Sequence, residues 1–186
     1  MIGQLPKSLN VGGVSYGIQT DYRTILLIFE AYGDPELTLQ EKTVVMLQCL
    51  YNDFGSIPEK DYQEAIDKAV WFMDGGKDLD DIKYAKKVID WAQDEQLIFP
   101  AVNKVAGYET RSVEYLHWWT FLGFFNEIGE GLFSTVISIR QKKNKGKKLE
   151  KYEQDFYREN KKLIDLAVRY TKEEEEEMEH LNELLK

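Results

Sequence analysis

The pattern of apolar and polar residues at the start of the chain predicts a β-hairpin. Two glycines, Gly12 and Gly13, separate the short runs 8–11 and 14–18, each of which contains apolar residues. A two-glycine centre supplies the positive φ angles of a tight hairpin turn, so each run is predicted to be a strand. Two strands are only marginally stable alone. We therefore expect the hairpin to lie on helices of its own chain or to pair with the edge of another chain.

From Asp21 onward the apolar residues recur at three- and four-residue spacing, which predicts helices. Thr38 and Glu41 form a capping box, Pro58 is suited to a first helical turn and Gly75 to a helix end. We expect Pro100 in the first turn of a short helix. The predicted helices cover about residues 21–33, 38–51, 58–74, 79–95, 98–105, 112–128 and 132–143.

The helix predicted over 112–128 contains the densest group of aromatic residues in the chain. Six aromatic rings lie between Tyr115 and Phe125, and at helical spacing they cover most of the helix circumference. Each ring can remove about 150–250 Å² from water, so this helix is either the centre of the core or a docking element. The near-circumferential pattern favours the core. Because Trp118 and Trp119 point about 100° apart, one of them is a candidate for a partner or subunit contact.

The composition changes beyond Gly146, where 21 of the final 40 residues are charged. This charge density predicts a solvated helical arm rather than a second core. The apolar residues of the arm keep heptad positions and form one narrow seam, which could fold back or pair with a partner helix. Thr171 and Glu174 form a second capping box that opens a last helix. The seam residues are Leu149, Tyr152, Phe156, Leu163, Leu166 and Tyr170.

Together these patterns predict a mainly α-helical protein. A multi-helix globular body with a short N-terminal β-hairpin covers 1–145, and a charged, amphipathic C-terminal helical arm covers 146–186. The hairpin edge and the seam are both compatible with a homo-oligomer. The residues predicted to bind a partner are Trp118, Trp119, Tyr152, Phe156, Leu163, Leu166 and Tyr170.

Composition and charge narrow the functional classes. Hydrophobic residues make up 43% of the 186 residues, as in a packed globular protein, and the net charge of −9 disfavours nucleic-acid binding. The single cysteine, Cys49, lies among apolar residues, which indicates core packing and a reduced compartment. No apolar run is long enough for a signal sequence or a membrane span. We expect a soluble, cytoplasmic protein that binds neither nucleic acid nor membrane.

A basic cluster between Lys142 and Lys148 is the one place where nucleic-acid binding could be argued. The cluster contains five lysines without interleaved aromatic residues, and an acidic tail follows it. We favour a flexible hinge between body and arm, with Gly146 as its pivot.

Two Glu-x-x-His spacings are the sharpest candidates for chemistry, Glu114 with His117 and Glu177 with His180. Two such pairs can supply ligands to a di-metal site in a helical bundle. That site also needs carboxylates from two further helices, and any histidine shortly after the glutamate run 173–177 meets the second spacing by chance. We therefore predict no metal, no cofactor and no enzyme activity. We expect His117 to be a partly buried ring bonded to a helix carbonyl or a carboxylate.

Several motifs, in their order along the chain, resemble a family of proteins from tailed phages of Gram-positive bacteria that is named for phage gene product fifteen. The resemblance extends over about residues 5–145, and its most specific part is the Leu-His-Trp-Trp segment. The motifs are Leu-Pro at 5–6, Val-Gly-Gly-Val-Ser-Tyr at 11–16, Thr-Asp-Tyr-Arg at 20–23, Asp-Trp-Ala-Gln-Asp at 90–94, Leu-Ile at 97–98, Leu-His-Trp-Trp-Thr-Phe at 116–121 and Ile-Ser-Ile-Arg at 137–140.

The resemblance implies a non-enzymatic role in building the phage tail. Members are similar in their expected genomic role to tail assembly chaperones, which coat the tape measure protein, help to recruit tail tube subunits and are absent from the finished particle. The implied partners are the tape measure protein and the tail tube protein of the same phage, in the cytoplasm of the host cell. A structural tail or connector component that stays in the virion is the alternative, and a di-metal helical-bundle enzyme is a less favoured one.

Overall fold

The chain folds into α-helices behind a short N-terminal hairpin, as predicted. The computed structural model describes residues 3–77, 86–174 and 176–178. Its strands are β1 (Ser8–Val11) and β2 (Val14–Gly17). The α-helices that follow among the described residues are α1 (Tyr22–Gly33), α2 (Leu39–Leu50), α3 (Tyr62–Met73), α4 (Glu95–Ala106), α5 (Trp118–Asn126), α6 (Leu132–Asn144), α7 (Lys151–Glu159) and α8 (Lys161–Ile164).

The hairpin packs on a helix of its own chain. β1 and β2 pair antiparallel, with Leu9 opposite Tyr16. Gly12 and Gly13 have φ angles of 59° and 81°, the left-handed values that a two-residue turn requires. Leu9 is buried in the core and β1 contacts α3. Pairing of the hairpin with the edge of another chain stays a prediction.

Side-chain caps are present at three helix starts, two of which are the predicted capping boxes. The Asp21 side chain accepts a hydrogen bond from the backbone N–H of the second residue of α1. Thr38 and Glu41 form the complete capping box of α2. Thr171 and Glu174 exchange the same pair of bonds, and residues 172–174 are helical. The end of the predicted last helix, from residue 179, lies outside the described residues.

The helix predicted over 79–95 is wrong in its described part. Residues 86–94 form a loop and a turn, whereas 78–85 lie outside the described residues. Asp90 Oδ1 accepts hydrogen bonds from the backbone N–H groups two and three residues further on, at 3.1 and 2.9 Å. Asp94 Oδ2 accepts one from the backbone N–H of Asp90 at 2.9 Å. Such side-chain bonds to nearby backbone compete with helix formation.

The helix predicted over 98–105 is longer than expected. It begins at Glu95, so Pro100 lies inside α4 rather than in its first turn. Proline has no backbone N–H, so the carbonyl oxygen of Gln96, four residues earlier, lacks its usual helical donor.

The aromatic helix starts later than the predicted range 112–128. His117 is its N-cap residue, because His117 Nδ1 accepts a hydrogen bond of 3.0 Å from the backbone N–H of Trp119. α5 therefore begins at Trp118, and Tyr115 lies outside the helix with an exposed ring.

α5 is the centre of the core, as its aromatic pattern predicted. The indole N–H of Trp118 donates a 2.8 Å hydrogen bond to the carbonyl of Met73. The indole N–H of Trp119 donates one of the same length to the carbonyl of Phe72. Both carbonyls belong to the last turn of α3, where no N–H group of the helix lies four residues further on to bond with them. The two tryptophans therefore hold the end of α3 while their rings fill the core.

Gly75 and Gly76 follow the end of α3, as predicted, and the two glycines have left-handed φ angles of 70° and 86°. A Cβ atom on Gly75 would lie 2.7 Å from Cδ2 of Leu122, and one on Gly76 would lie 2.9 Å from Cη2 of Trp119. These two glycines therefore allow both the chain reversal and the close approach of α5.

Arg140 ties α6 to two other parts of the chain, and only 4% of this residue is exposed. Its guanidinium forms a two-bond salt bridge with Asp94, from Nη1 to Oδ2 at 2.6 Å and from Nη2 to Oδ1 at 2.8 Å. Its remaining N–H groups donate to the carbonyls of Val88 at 2.9 Å, Leu163 at 2.9 Å and Ile164 at 2.6 Å. All five donors of the side chain are thus used. Among the described residues, no buried side-chain nitrogen or oxygen lacks a hydrogen-bond partner.

Replacing Gly75 by alanine should destabilise the protein by about 1–2 kcal/mol, because the new Cβ meets Leu122 and the left-handed backbone disfavours side chains. Gly123 is the matched control. It lies inside α5 with no atom within 4 Å of an added Cβ, so Gly123→Ala should stabilise by up to about 1 kcal/mol. Urea unfolding of both variants measures the two free energies. Equal effects of the two substitutions would contradict the close packing of α5 on the end of α3.

Replacing Arg140 by methionine should lower the free energy of unfolding by about 3–5 kcal/mol, because the substitution leaves the Asp94 carboxylate buried and unpaired. Arg158, which pairs with Asp155 on the surface, is the control, and Arg158→Met should change stability by less than about 0.5 kcal/mol. A double variant that also carries Asp94→Asn should lose less than the sum of the single effects. Additive losses would show that the two side chains do not interact.

Candidate functional site

The predicted arm contains α7 and α8, and its described part lies against the body. Ile164 is fully buried, while Phe156 and Leu163 pack against the core. Lys142 Nζ lies 2.7 and 2.8 Å from the two carboxylate oxygens of Glu153. The part of the seam formed by Leu149, Phe156 and Leu163 is therefore folded back onto the body, which is one of the two arrangements expected for it, whereas Tyr152 and Tyr170 are exposed. The domain boundary between 145 and 146 stays a prediction.

Gly146 ends α6. The backbone N–H of Gly146 donates to the carbonyl of Lys143 at 3.0 Å, and that of Lys147 to the carbonyl of Lys142 at 2.9 Å. With a φ angle of 62° at Gly146, these bonds form a Schellman motif. Lys143 also pairs with Asp165, so two lysines of the basic cluster connect α6 with the C-terminal segment. A flexible hinge at Gly146 stays a prediction.

The seven residues predicted to bind a partner are divided between the core and the surface. Only 1% of Trp118 is exposed, and the partly buried Trp119 also faces α3. Because four of the seven pack in or against the core, the set does not form one exposed surface. Phe156 and Leu163 pack against the core, Leu166 is partly buried, and Tyr152 and Tyr170 are exposed. The role of these residues in partner binding stays a prediction.

His117 uses both ring nitrogens within the fold. Because Nδ1 accepts from the N–H of Trp119, the proton of the neutral ring must be on Nε2, which lies 2.9 Å from the carbonyl oxygen of Pro6. The ring is buried and its acceptor lies in the N-terminal segment, not in a helix. Glu114 is exposed, and His180 lies outside the described residues. The described part of the chain contains no group of three or more His, Cys, Asp or Glu side chains that could hold a metal ion.

The motifs at 5–6, 20–23 and 116–121 meet at one junction around His117. The backbone N–H of Tyr22 donates to the carbonyl of Leu116 at 3.0 Å, and that of Trp118 donates to the carbonyl of Thr20 at 2.7 Å. The motifs at 90–94 and 137–140 meet at a second junction, the salt bridge between Asp94 and Arg140. These motif side chains hold backbone segments together, so they belong to the scaffold.

An open apolar groove lies between α4 and the turn before α6, with a volume of about 410 Å³. We name it the α4 groove. Leu132 projects at its edge and is 51% exposed. Glu127 and Glu130 are exposed on the turn that forms one wall. The groove is lined by Gln96, Leu97, Pro100, Ala101, Lys104, Val105 and residues 127–133.

A second groove, of about 310 Å³, lies on the other side of Ile128 and Phe133. We name it the α6 groove, because Ile137 and other residues of α6 form one of its walls. Ile128 and Phe133 line both grooves, so the two are neighbours. A cleft of about 430 Å³ beside α1 has a more charged lining, which includes Arg23, Glu30, Glu95 and Arg111. The two neighbouring grooves are the candidate interaction site.

The sequence pattern did not identify the α4 groove, although one wall of it has a local signal. Positions 96, 97, 100, 101, 104 and 105 share one helix face. The other wall comes from residues 127–133, and only the packing of α6 against α4 brings it opposite.

Acidification should loosen the C-terminal segment. The hydrogen bond from Lys142 holds the pKa of Glu153 below its usual range. Burial raises the pKa of Asp165, but hydrogen bonds from Lys143 and Tyr157 outweigh it and lower the pKa. Carboxyl groups with lowered pKa stabilise the fold above their ordinary pKa of about 4, and this stability is lost as the pH falls through the lowered values.

Thermal unfolding between pH 7 and pH 3 should therefore show a falling midpoint below about pH 4. Glu153→Gln should flatten this dependence, because it removes one of the responsible carboxyl groups. Glu59→Gln, at an exposed position, is the control and should leave the slope of the unfolding midpoint against pH unchanged. An identical slope in the Glu153 variant would contradict the assignment.

No helix in the described ranges has both the length and the apolar character needed to cross a membrane. A family model described as Bacteriophage Gp15 protein matches residues 1–166. Searches of the curated proteins and of the solved structures each found no match. Because the matched range covers most of the 186 residues and contains both motif junctions, the chain belongs to the Bacteriophage Gp15 protein family.

Proposed function

We propose that this protein is a non-enzymatic tail assembly chaperone, which binds the tape measure protein and tail tube subunits during tail morphogenesis in the host cytoplasm. Membership of the family indicates a phage structural or morphogenesis protein. The observation that supports a chaperone role is the pair of neighbouring grooves that share Ile128 and Phe133, which are open on a chain of net charge −9.

A chaperone for a long helical client has two physical requirements. It needs an open apolar surface that accepts one face of an amphipathic helix, and a charge excess that keeps the complex dissolved. The α4 and α6 grooves meet the first requirement, and the net charge meets the second. Tyr152 and Tyr170 on the C-terminal segment offer further exposed aromatic contacts.

Co-expression with the tape measure protein of the same phage tests the proposal. We expect a soluble complex that stays together in size-exclusion chromatography, and an insoluble tape measure protein when it is expressed alone. The tail tube protein is tested in the same way. A tape measure protein that is equally insoluble in both expressions contradicts the chaperone role.

The composition of finished particles separates a chaperone from a structural tail or connector component. Mass spectrometry of purified virions should detect the tail tube protein, which serves as the positive control, and should not detect this chain. A constant number of copies per particle would support the structural alternative instead.

A further inference from the structure

The α4 groove has the dimensions of a helix-binding site. Its wall on α4 is a single helix face that runs from Gln96 to Val105, a distance of about 14 Å at the rise of an α-helix. The opposite wall is the turn 127–131, followed by Leu132 and Phe133. A groove of this length, open along one side, matches about two to three turns of a docked helix.

The rim of the α4 groove is rich in hydrogen-bond acceptors. Glu127 and Glu130 are exposed on the turn wall. On the facing wall, the carbonyl of Gln96 lacks a helical donor because Pro100 has no N–H. Lys104, near the end of α4, is the only cation among the lining residues of this groove. The rim therefore favours a ligand that brings N–H donors and positive charge.

We infer that the α4 groove binds an amphipathic client helix whose apolar stripe is flanked by lysine or arginine. This inference rests on the proposed chaperone function. The stripe packs on Pro100, Ala101 and Leu132, which line the groove and are exposed or partly exposed, and the flanking cations face Glu127 and Glu130. A helix flanked by aspartate or glutamate meets like charges at the same rim and is rejected.

Two peptides of matched length and apolar stripe provide the first measurement. One is a helix of leucine and lysine and the other a helix of leucine and glutamate, each of about 14 residues, or nearly four turns. Fluorescence anisotropy with the full chain should show binding of the lysine peptide and at least about tenfold weaker binding of the glutamate peptide. Equal binding of the two peptides would overturn the charge preference.

A pair of leucine variants locates the site. Leu132 and Leu39 are each the first residue of a helix, and they are 51% and 73% exposed. Leu132→Gln removes an apolar contact at the groove edge and should weaken binding of the lysine peptide by about tenfold. Leu39→Gln makes the same change away from the groove lining and should leave the affinity unchanged. Equal effects of the two variants would overturn the assignment to the α4 groove.

A pair of charge variants separates the groove rim from the overall charge. The double variant Glu127→Lys/Glu130→Lys should weaken binding of the lysine peptide by at least about tenfold and strengthen binding of the glutamate peptide. Glu59→Lys/Glu114→Lys, at exposed positions outside the groove lining, changes the net charge equally and should have a much smaller effect. If both double variants lose the same affinity, the peptide binds through general charge attraction and the inference fails.

Two further outcomes concern the occupant and the proposed function. If Leu132→Gln abolishes self-association in analytical ultracentrifugation, the occupant is a second copy and the client assignment is wrong. If the tape measure protein co-purifies equally with the wild-type chain and Leu132→Gln, the groove inference fails while the chaperone function stands. If it co-purifies with neither, the chaperone function itself fails, whatever the peptides show.

Discussion

The buried pair of Arg140 and Asp94 is the constraint on which the rest of the structure depends. A guanidinium removed from water is stable only when its charge is paired and its donors are filled. Here the carboxylate lies 46 residues before Arg140 and one of the carbonyl acceptors lies 24 residues after it. The loop before α4, the helix α6 and the end of α8 must therefore be in place together. This requirement places the C-terminal segment on the body.

At a second junction, around His117, distant segments are again held together by a buried side chain. His117 caps α5 with one ring nitrogen and holds the carbonyl of Pro6 with the other. The motifs that mark the family thus connect backbone segments, and they account for the scaffold. The interaction site is mostly built from other residues. Pro100, Lys104 and the turn 127–131 line the α4 groove and belong to none of the motifs. Only a few motif residues, such as Leu97 and Ile137, also line the grooves.

Local signals predicted most of the elements because their physical causes are local. A two-glycine turn, a Thr-Glu capping box and a glycine pair after a helix act within a few residues of each other. Two of the errors occurred where a side chain bound the backbone instead. Asp90 holds the loop that was predicted to be helix, and His117 delays the start of the aromatic helix. Both residues act through hydrogen bonds that periodicity does not report.

The sequence by itself determined the class of the fold, the hairpin, most helix ends and the burial of the aromatic helix. Each of these follows from which residues are apolar and from the backbone angles that glycine allows. Only the tertiary structure decided the partners of Arg140, the position of the seam against the body and the presence of the α4 groove. Periodicity shows which face of a helix is apolar, but whether that face is covered depends on elements far away in the chain. The part of α4 around Pro100 and Ala101 stays uncovered because the turn 127–131 passes beside it without filling the space.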